Sequence, residues 1–176
     1  MKYFLLSVCL LLLISCAAKK ANIVPAIVPQ TQKAPEVRVI RPDNIIGAVE
    51  PFYILPMKSA FLARIDTGAT TSSVDVQNLK HFERDGEKWV SFEIVNSRSK
   101  EKYLFEKEVV KNVKIKRIEQ EEHRVKVLMD VKMGGEKIKA EFTLAEREDF
   151  KYQGLIGRNI LTGRYIVDTS VSNTLK

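Results

Sequence analysis

The sequence predicts an all-β domain, either a small closed barrel or a sandwich, on three observations. Residues 89–95, Trp-Val-Ser-Phe-Glu-Ile-Val, alternate apolar with polar side chains at period two, as a half-buried strand does. Gly134-Gly135 stands between two further alternating runs, a hairpin signal because such turns require positive φ. Helical patterning is confined to residues 159–162.

The chain opens on a segment set aside from the fold. Lys2 precedes a short apolar run over residues 4–14, too brief to cross a bilayer as a mature helix, so residues 1–15 read as an export signal. Leu13-Ile14-Ser15-Cys16 resembles the bacterial lipobox, which makes Cys16 the expected lipidation site and the membrane a partner through that anchor. Ala17 after it resembles the outer-membrane sorting pattern of diderm bacteria, so the domain is expected to face the periplasm or the cell exterior. Cys9 and Cys16 are the two cysteines, which leaves the mature domain with no disulfide, thiolate metal site or cysteine nucleophile. Residues 16–43 carry Pro25, Pro29, Pro35 and Pro42 without periodicity, the composition of a tether.

Residues 44–176 are one domain's worth of chain. Apolar runs at 52–55 and 60–65 predict two strands, and 89–95 predicts a third. Val109, Val113, Ile115 and Ile118 mark one or two more, and 125–131 leads through the Gly-Gly turn into 138–144. A last strand is expected at 165–167, after the short helix. The net charge of +7 is spread along the chain, with the basic residues of 100–117 interleaved with acids, and reads mainly as solvated strand faces, open to anionic lipid or acidic peptides. No alternation of basic and aromatic residues suggests a nucleic-acid surface, so no nucleic-acid partner is expected.

Asp66 needs a reason beyond local propensity, because aspartate is a poor strand former and here it follows the apolar Ala63-Arg64-Ile65. The stretch continues Asp66-Thr67-Gly68-Ala69-Thr70-Thr71-Ser72-Ser73. Some ninety residues later comes Leu155-Ile156-Gly157-Arg158-Asn159-Ile160-Leu161, an apolar strand that ends in glycine and turns into a short helix. Between and after these stand Leu144-Ala145-Glu146-Arg147, Tyr152 and Val167-Asp168.

Taken together, the motifs resemble the retropepsin-like aspartic proteases over about residues 46–170. The nearest likeness is the bacterial branch labelled putative ATP-dependent zinc proteases, some of which accompany enzymes that ligate glutamate to ribosomal proteins. The resemblance implies a small closed retropepsin-like (acid protease) barrel with one short C-terminal helix. It implies Asp66 as the catalytic aspartate, with Thr67, Gly68 and Ala69 as its active-site loop and Gly157, Arg158 and Asn159 as structural support.

Peptide hydrolysis by carboxylates needs two of them a few ångströms apart, sharing one proton. One Asp-Thr-Gly supplies half of that pair, so the expected active form is a two-fold homodimer with Asp66 beside its copy. Asp168 also follows an apolar strand, but Thr169-Ser170 lacks the glycine. The expected activity is therefore a membrane-tethered homodimeric aspartic endopeptidase acting on a peptide or protein substrate. The alternative is a non-catalytic peptide-binding cell-envelope domain on the same barrel.

Some residues depart from the retroviral pattern or stay open. Thr70 and Thr71 replace the acidic residues that grip substrate in retroviral enzymes, and residues 96–123 hold no glycine for a flap. The flap is expected within 96–107, with Gly134-Gly135 as a structural hairpin. Tyr103 and Phe105 fit either the flap or a strand face, Arg64 either substrate or solvent, and Trp89 either the core or a dimer contact. Arg147 is expected in a structural ion pair. No His-Glu-x-x-His exists, and His81 and His123, apart in sequence, are expected at the surface, so no metal is expected. No Gly-x-x-x-x-Gly-Lys loop exists either, and no cofactor is expected.

Overall fold

The computed structural model describes residues 44–116, 121–146 and 151–175. Most of these residues are strand, and the expected closed retropepsin-like barrel is what they form. In chain order come β1 (Ile45–Ile46), β2 (Val49–Ile54), β3 (Phe61–Ile65), β4 (Ser72–Asp75), β5 (Gln77–Arg84), β6 (Glu87–Val95) and β7 (Lys102–Glu108). They are followed by β8 (Lys111–Lys116), β9 (Glu121–Met133), β10 (Glu136–Ala145), β11 (Gly154–Ile156), α1 (Arg158–Leu161) and β12 (Ile166–Val167).

The barrel runs β10-β4-β11-β3-β2-β9, and β9 pairs again with β10 to close it. Closure removes the free edges that a flat sheet would leave. β8 extends the barrel from β9, β5-β6-β7 make a separate three-stranded sheet, and β1 pairs in parallel with β12. Inward positions recur at period two in β2 and β3, which places Phe52, Ile54, Phe61, Ala63 and Ile65 in the core. Phe52 and Phe61 face each other across the β2–β3 ladder with ring centroids 5.8 Å apart. On β6 the predicted alternation buries Val90, Phe92 and Ile94, and Phe92 stacks on Phe105 of β7 at 5.5 Å.

Gly134 and Gly135 make the predicted hairpin at φ of 55° and 84°, joining Met133 to its partner Glu136. Asp85-Gly86 makes the same kind of turn between β5 and β6, at φ of 53° and 81°. The expected flap is corrected. Residues 96–101 form the β6–β7 turn, and Asn96 Nδ2 donates to the Ala60 carbonyl at 2.9 Å. Glu101 accepts from the Lys58 and Ser59 N–H groups. Those anchors precede β3, whereas Asp66 follows its other end, so the turn is tied away from the Asp66 loop. Tyr103 and Phe105 accordingly belong to a strand, with Phe105 buried and Tyr103 exposed.

Candidate functional site

Asp66 stands where two parallel strands end together. Ile65 of β3 is in register with Ile156 of β11, and the Asp66 N–H donates to the Ile156 carbonyl at 3.0 Å before the chain turns. The carboxylate then organises the turn: the Gly68 and Ala69 N–H groups donate to Oδ1 at 2.9 and 3.1 Å. An aspartate that bonds to the backbone two and three residues on is a turn former in its own right. Both bonds fall on one oxygen, and among the described residues no hydrogen bond falls on Oδ2. Asp66 is half-buried, while Thr67, Gly68 and Thr70 are exposed.

The second motif clamps this loop. The Arg158 and Asn159 N–H groups donate to the Ala69 and Thr70 carbonyls at 2.9 and 3.2 Å. Arg158 Nη1 donates to the Thr67 and Gly68 carbonyls at 2.9 and 2.8 Å, and Nη2 to Thr70 Oγ1 at 3.1 Å. A planar fork with donors on separate nitrogens spans acceptors set apart, whereas a lysine's three donors share one nitrogen. Gly157 is required by close approach, since a Cβ there would lie 2.8 Å from the Thr71 carbonyl carbon and 2.9 Å from the Ala69 carbonyl oxygen. Asn159 Oδ1 accepts from the Ser72 N–H and hydroxyl at 2.9 and 2.8 Å, and Ser72 Oγ in turn accepts from the Gly157 N–H at 3.0 Å. Ser72 is fully buried and is a member of the site that sequence reasoning missed; its only sequence signal was its place at the end of the Asp66 motif.

The structure thus brings Asp66, Thr67, Gly68 and Ala69 together with Gly157, Arg158 and Asn159. It leaves Asp168 elsewhere, just after β12, where Oδ1 accepts from the Ser170 hydroxyl and N–H and so holds the carboxyl below its usual range. Arg64 is exposed, and Trp89 is half-buried against Phe82 with the Arg84 guanidinium 4.6 Å from its ring. Cys16, the export signal and Arg147 lie outside the described residues. His81 and His123 are exposed as expected, yet the fold brings them to one cavity of about 380 Å³ that Arg124 and Glu146 also line. Among the described residues no three His, Cys, Asp or Glu side chains are grouped to hold a metal ion.

The model of the RimB-like family, described as retropepsin-like aspartic endopeptidase RimB, matches residues 45–175. The chain belongs to the RimB-like family. A probable alpha-L-glutamate ligase of Shewanella pealeana is 36% identical over 117 residues, covering 64% of this chain and 25% of the relative. One from Desulfotalea psychrophila is 31% identical over 123 residues, covering 66% and 26%. The chain spans about a quarter of the length of these curated relatives. A crystal structure of a Legionella pneumophila protein of unknown function superposes with a TM-score of 0.63 at 28% identity, covering 75% of this chain and 98% of that one.

These relatives correct the expected activity. They are named for glutamate ligation, a bond-forming function, and not for hydrolysis of peptide bonds by a membrane-tethered homodimer. The correction rests on those names, since the single Asp-Thr-Gly of each chain was already counted in the expected homodimer. Family and relatives alike are described as enzymes, and the RimB-like chain belongs among enzymes at that level.

Proposed function

We propose that this RimB-like chain is the peptide-holding module of glutamyl-peptide chemistry, with the Asp66 loop receiving the amino or amide nitrogen of an α-linked glutamyl peptide. The observation that carries the reading is the state of the Asp66 carboxylate. One oxygen is fixed by two backbone donors in a loop clamped by Arg158, and the bonds leave the other oxygen to accept from a substrate N–H. A charged acceptor suits a nitrogen donor, because hydrogen bonds to an ionised partner are roughly twice as strong as neutral ones. Asp66 is the acceptor in this reading, Gly68 leaves room for the peptide beside it, and Arg158 is a positioning residue. The names of the relatives supply the glutamate.

Calorimetric titration with α-linked triglutamate tests it. The full chain binds the peptide, and Asp66→Asn, which keeps an oxygen to close the turn but loses the charge, binds at least about tenfold more weakly. Equal affinity in the two proteins, or triglutamate recovered as fragments, would sink the reading. Export, anchoring through Cys16 and self-association belong to the same proposal, on the lipobox resemblance and the half-site that one Asp-Thr-Gly makes.

A further inference from the structure

Arg64 stands two residues before Asp66 and on the same face of the chain. Exposure alternates from Phe61 to Asp66: Phe61, Ala63 and Ile65 are buried, while Leu62, Arg64 and Asp66 turn the other way. The parallel ladder carries this pleat through position 66, because the Asp66 N–H still donates to the Ile156 carbonyl. Two strand residues advance about 6.6 Å, so a cation and an anion share one face at that spacing.

Nothing in the fold neutralises that cation. The ladder partners of Arg64 are Val49 of β2 and Leu155 of β11, both apolar. Among the described residues no ion pair joins its guanidinium to Asp66 or to any other acid. Arg84 and Arg164, by contrast, pair with Glu106 and Glu136, and Arg158 is engaged by the backbone of the Asp66 loop. Arg98 also lacks an acid, but it stands in the β6–β7 turn that is tied away from that loop. A guanidinium fork matches a carboxylate with two parallel bonds. In an extended glutamate the backbone nitrogen and the γ-carboxyl carbon lie about 5 Å apart, a span commensurate with the spacing of Asp66 and Arg64.

We propose that Arg64 determines specificity at the Asp66 site, its guanidinium taking the γ-carboxylate of the glutamyl residue whose nitrogen Asp66 accepts. A glutamine in that place offers the same nitrogen to Asp66, but to Arg64 it offers a neutral amide with a single acceptor oxygen, so the acid is selected over the amide. The inference rests on the reading of Asp66 as the acceptor of a peptide nitrogen, and adds the group that tells glutamate from glutamine.

The test is calorimetric titration of the full chain with α-linked triglutamate and, beside it, α-linked triglutamine. The parent prefers triglutamate at least about tenfold. Arg64→Gln loses that preference and binds triglutamine as the parent does, while its melting temperature holds, since the side chain is exposed and unpaired. Arg98→Gln removes the same charge away from the loop and keeps the preference, which separates a local contact from a general attraction of acids. Three results overturn the proposal: a parent that binds the two peptides alike, a preference that survives Arg64→Gln, or one that Arg98→Gln abolishes equally. Asp66→Asn reads the other claim. Parent-like affinity for triglutamate in that variant sinks the reading of Asp66, whereas weakened affinity there, with the preference intact in Arg64→Gln, sinks the role of Arg64 alone. A parent that binds neither peptide overturns both.

Discussion

Asp66 closes its turn with one oxygen, and substitution separates that role from whatever the other oxygen does. Asp66→Ala removes the acceptor of two N–H groups and should cost about 1–3 kcal/mol by urea denaturation, whereas Asp66→Asn should stay close to the parent. Gly157→Ala should cost about as much, because a methyl group would be driven against the Thr71 and Ala69 backbone. Arg158→Lys should lose amide-exchange protection at Gly68 and Ala69 nearly as fully as Arg158→Ala, since an ammonium has no fork to span Thr67, Gly68 and Thr70. A lysine variant that protected those amides as well as the parent would show that the fork is dispensable. Asp66 was legible because an aspartate after an apolar strand breaks a local rule, and Gly157 and Arg158 because their motif resembles a known family's. Ser72 was not, because a serine there breaks no local rule and its bonds to Asn159 and Gly157 exist only once residues 72 and 157–159 meet.

At the scale of elements, apolar runs found β2 and β3 and apolar alternation found β6, β9 and β10, whose inner faces lie in the core. It did not find β5, because residues 77–84 are polar and mostly exposed on both faces and so carry no period. β7 was left open between flap and strand for a similar reason: in Lys102–Glu108 only Phe105 is buried. Nor could the sequence foresee that the fully buried Glu50 ties β2 to the C-terminal segment. Its Oε1 accepts from Gly47 N–H, Thr174 N–H and Thr174 hydroxyl, and its Oε2 from Leu175 N–H at 2.9 Å. Burial pushes this carboxyl up, but the bonds from Leu175, Thr174 and Gly47 outweigh burial and hold it below its ordinary 4.5. A lowered folded pKa stabilises above the unfolded value, and the gain is lost as pH falls through the folded one. Melting temperature should therefore drop on acidification below about pH 4.5, and the drop should shrink in Glu50→Gln, which should already be less stable at neutral pH. An identical acid profile for the variant would remove Glu50 from that account.

For the whole molecule, closure of the barrel places the two halves of the site on adjacent strands although about ninety residues separate them. Strand patterning and the two motifs foretold that closure. They did not foretell the names of the relatives, which point to glutamate ligation where the motif pointed to hydrolysis; one fold hosts many activities. The proposed anchor is a property of this scale too. The full chain should partition with bacterial membranes, and Cys16→Ser should shift it to the soluble fraction; membrane retention of that variant would refute the lipid. The peptide-holding role of the Asp66 loop is tested most directly by following backbone amide resonances as α-linked triglutamate is added. The account predicts shifts centred on Gly68, Ala69, Thr70 and Arg158, saturating with the peptide and fading in Asp66→Asn. Shifts confined to other parts of the barrel, or none at saturating peptide, would contradict it.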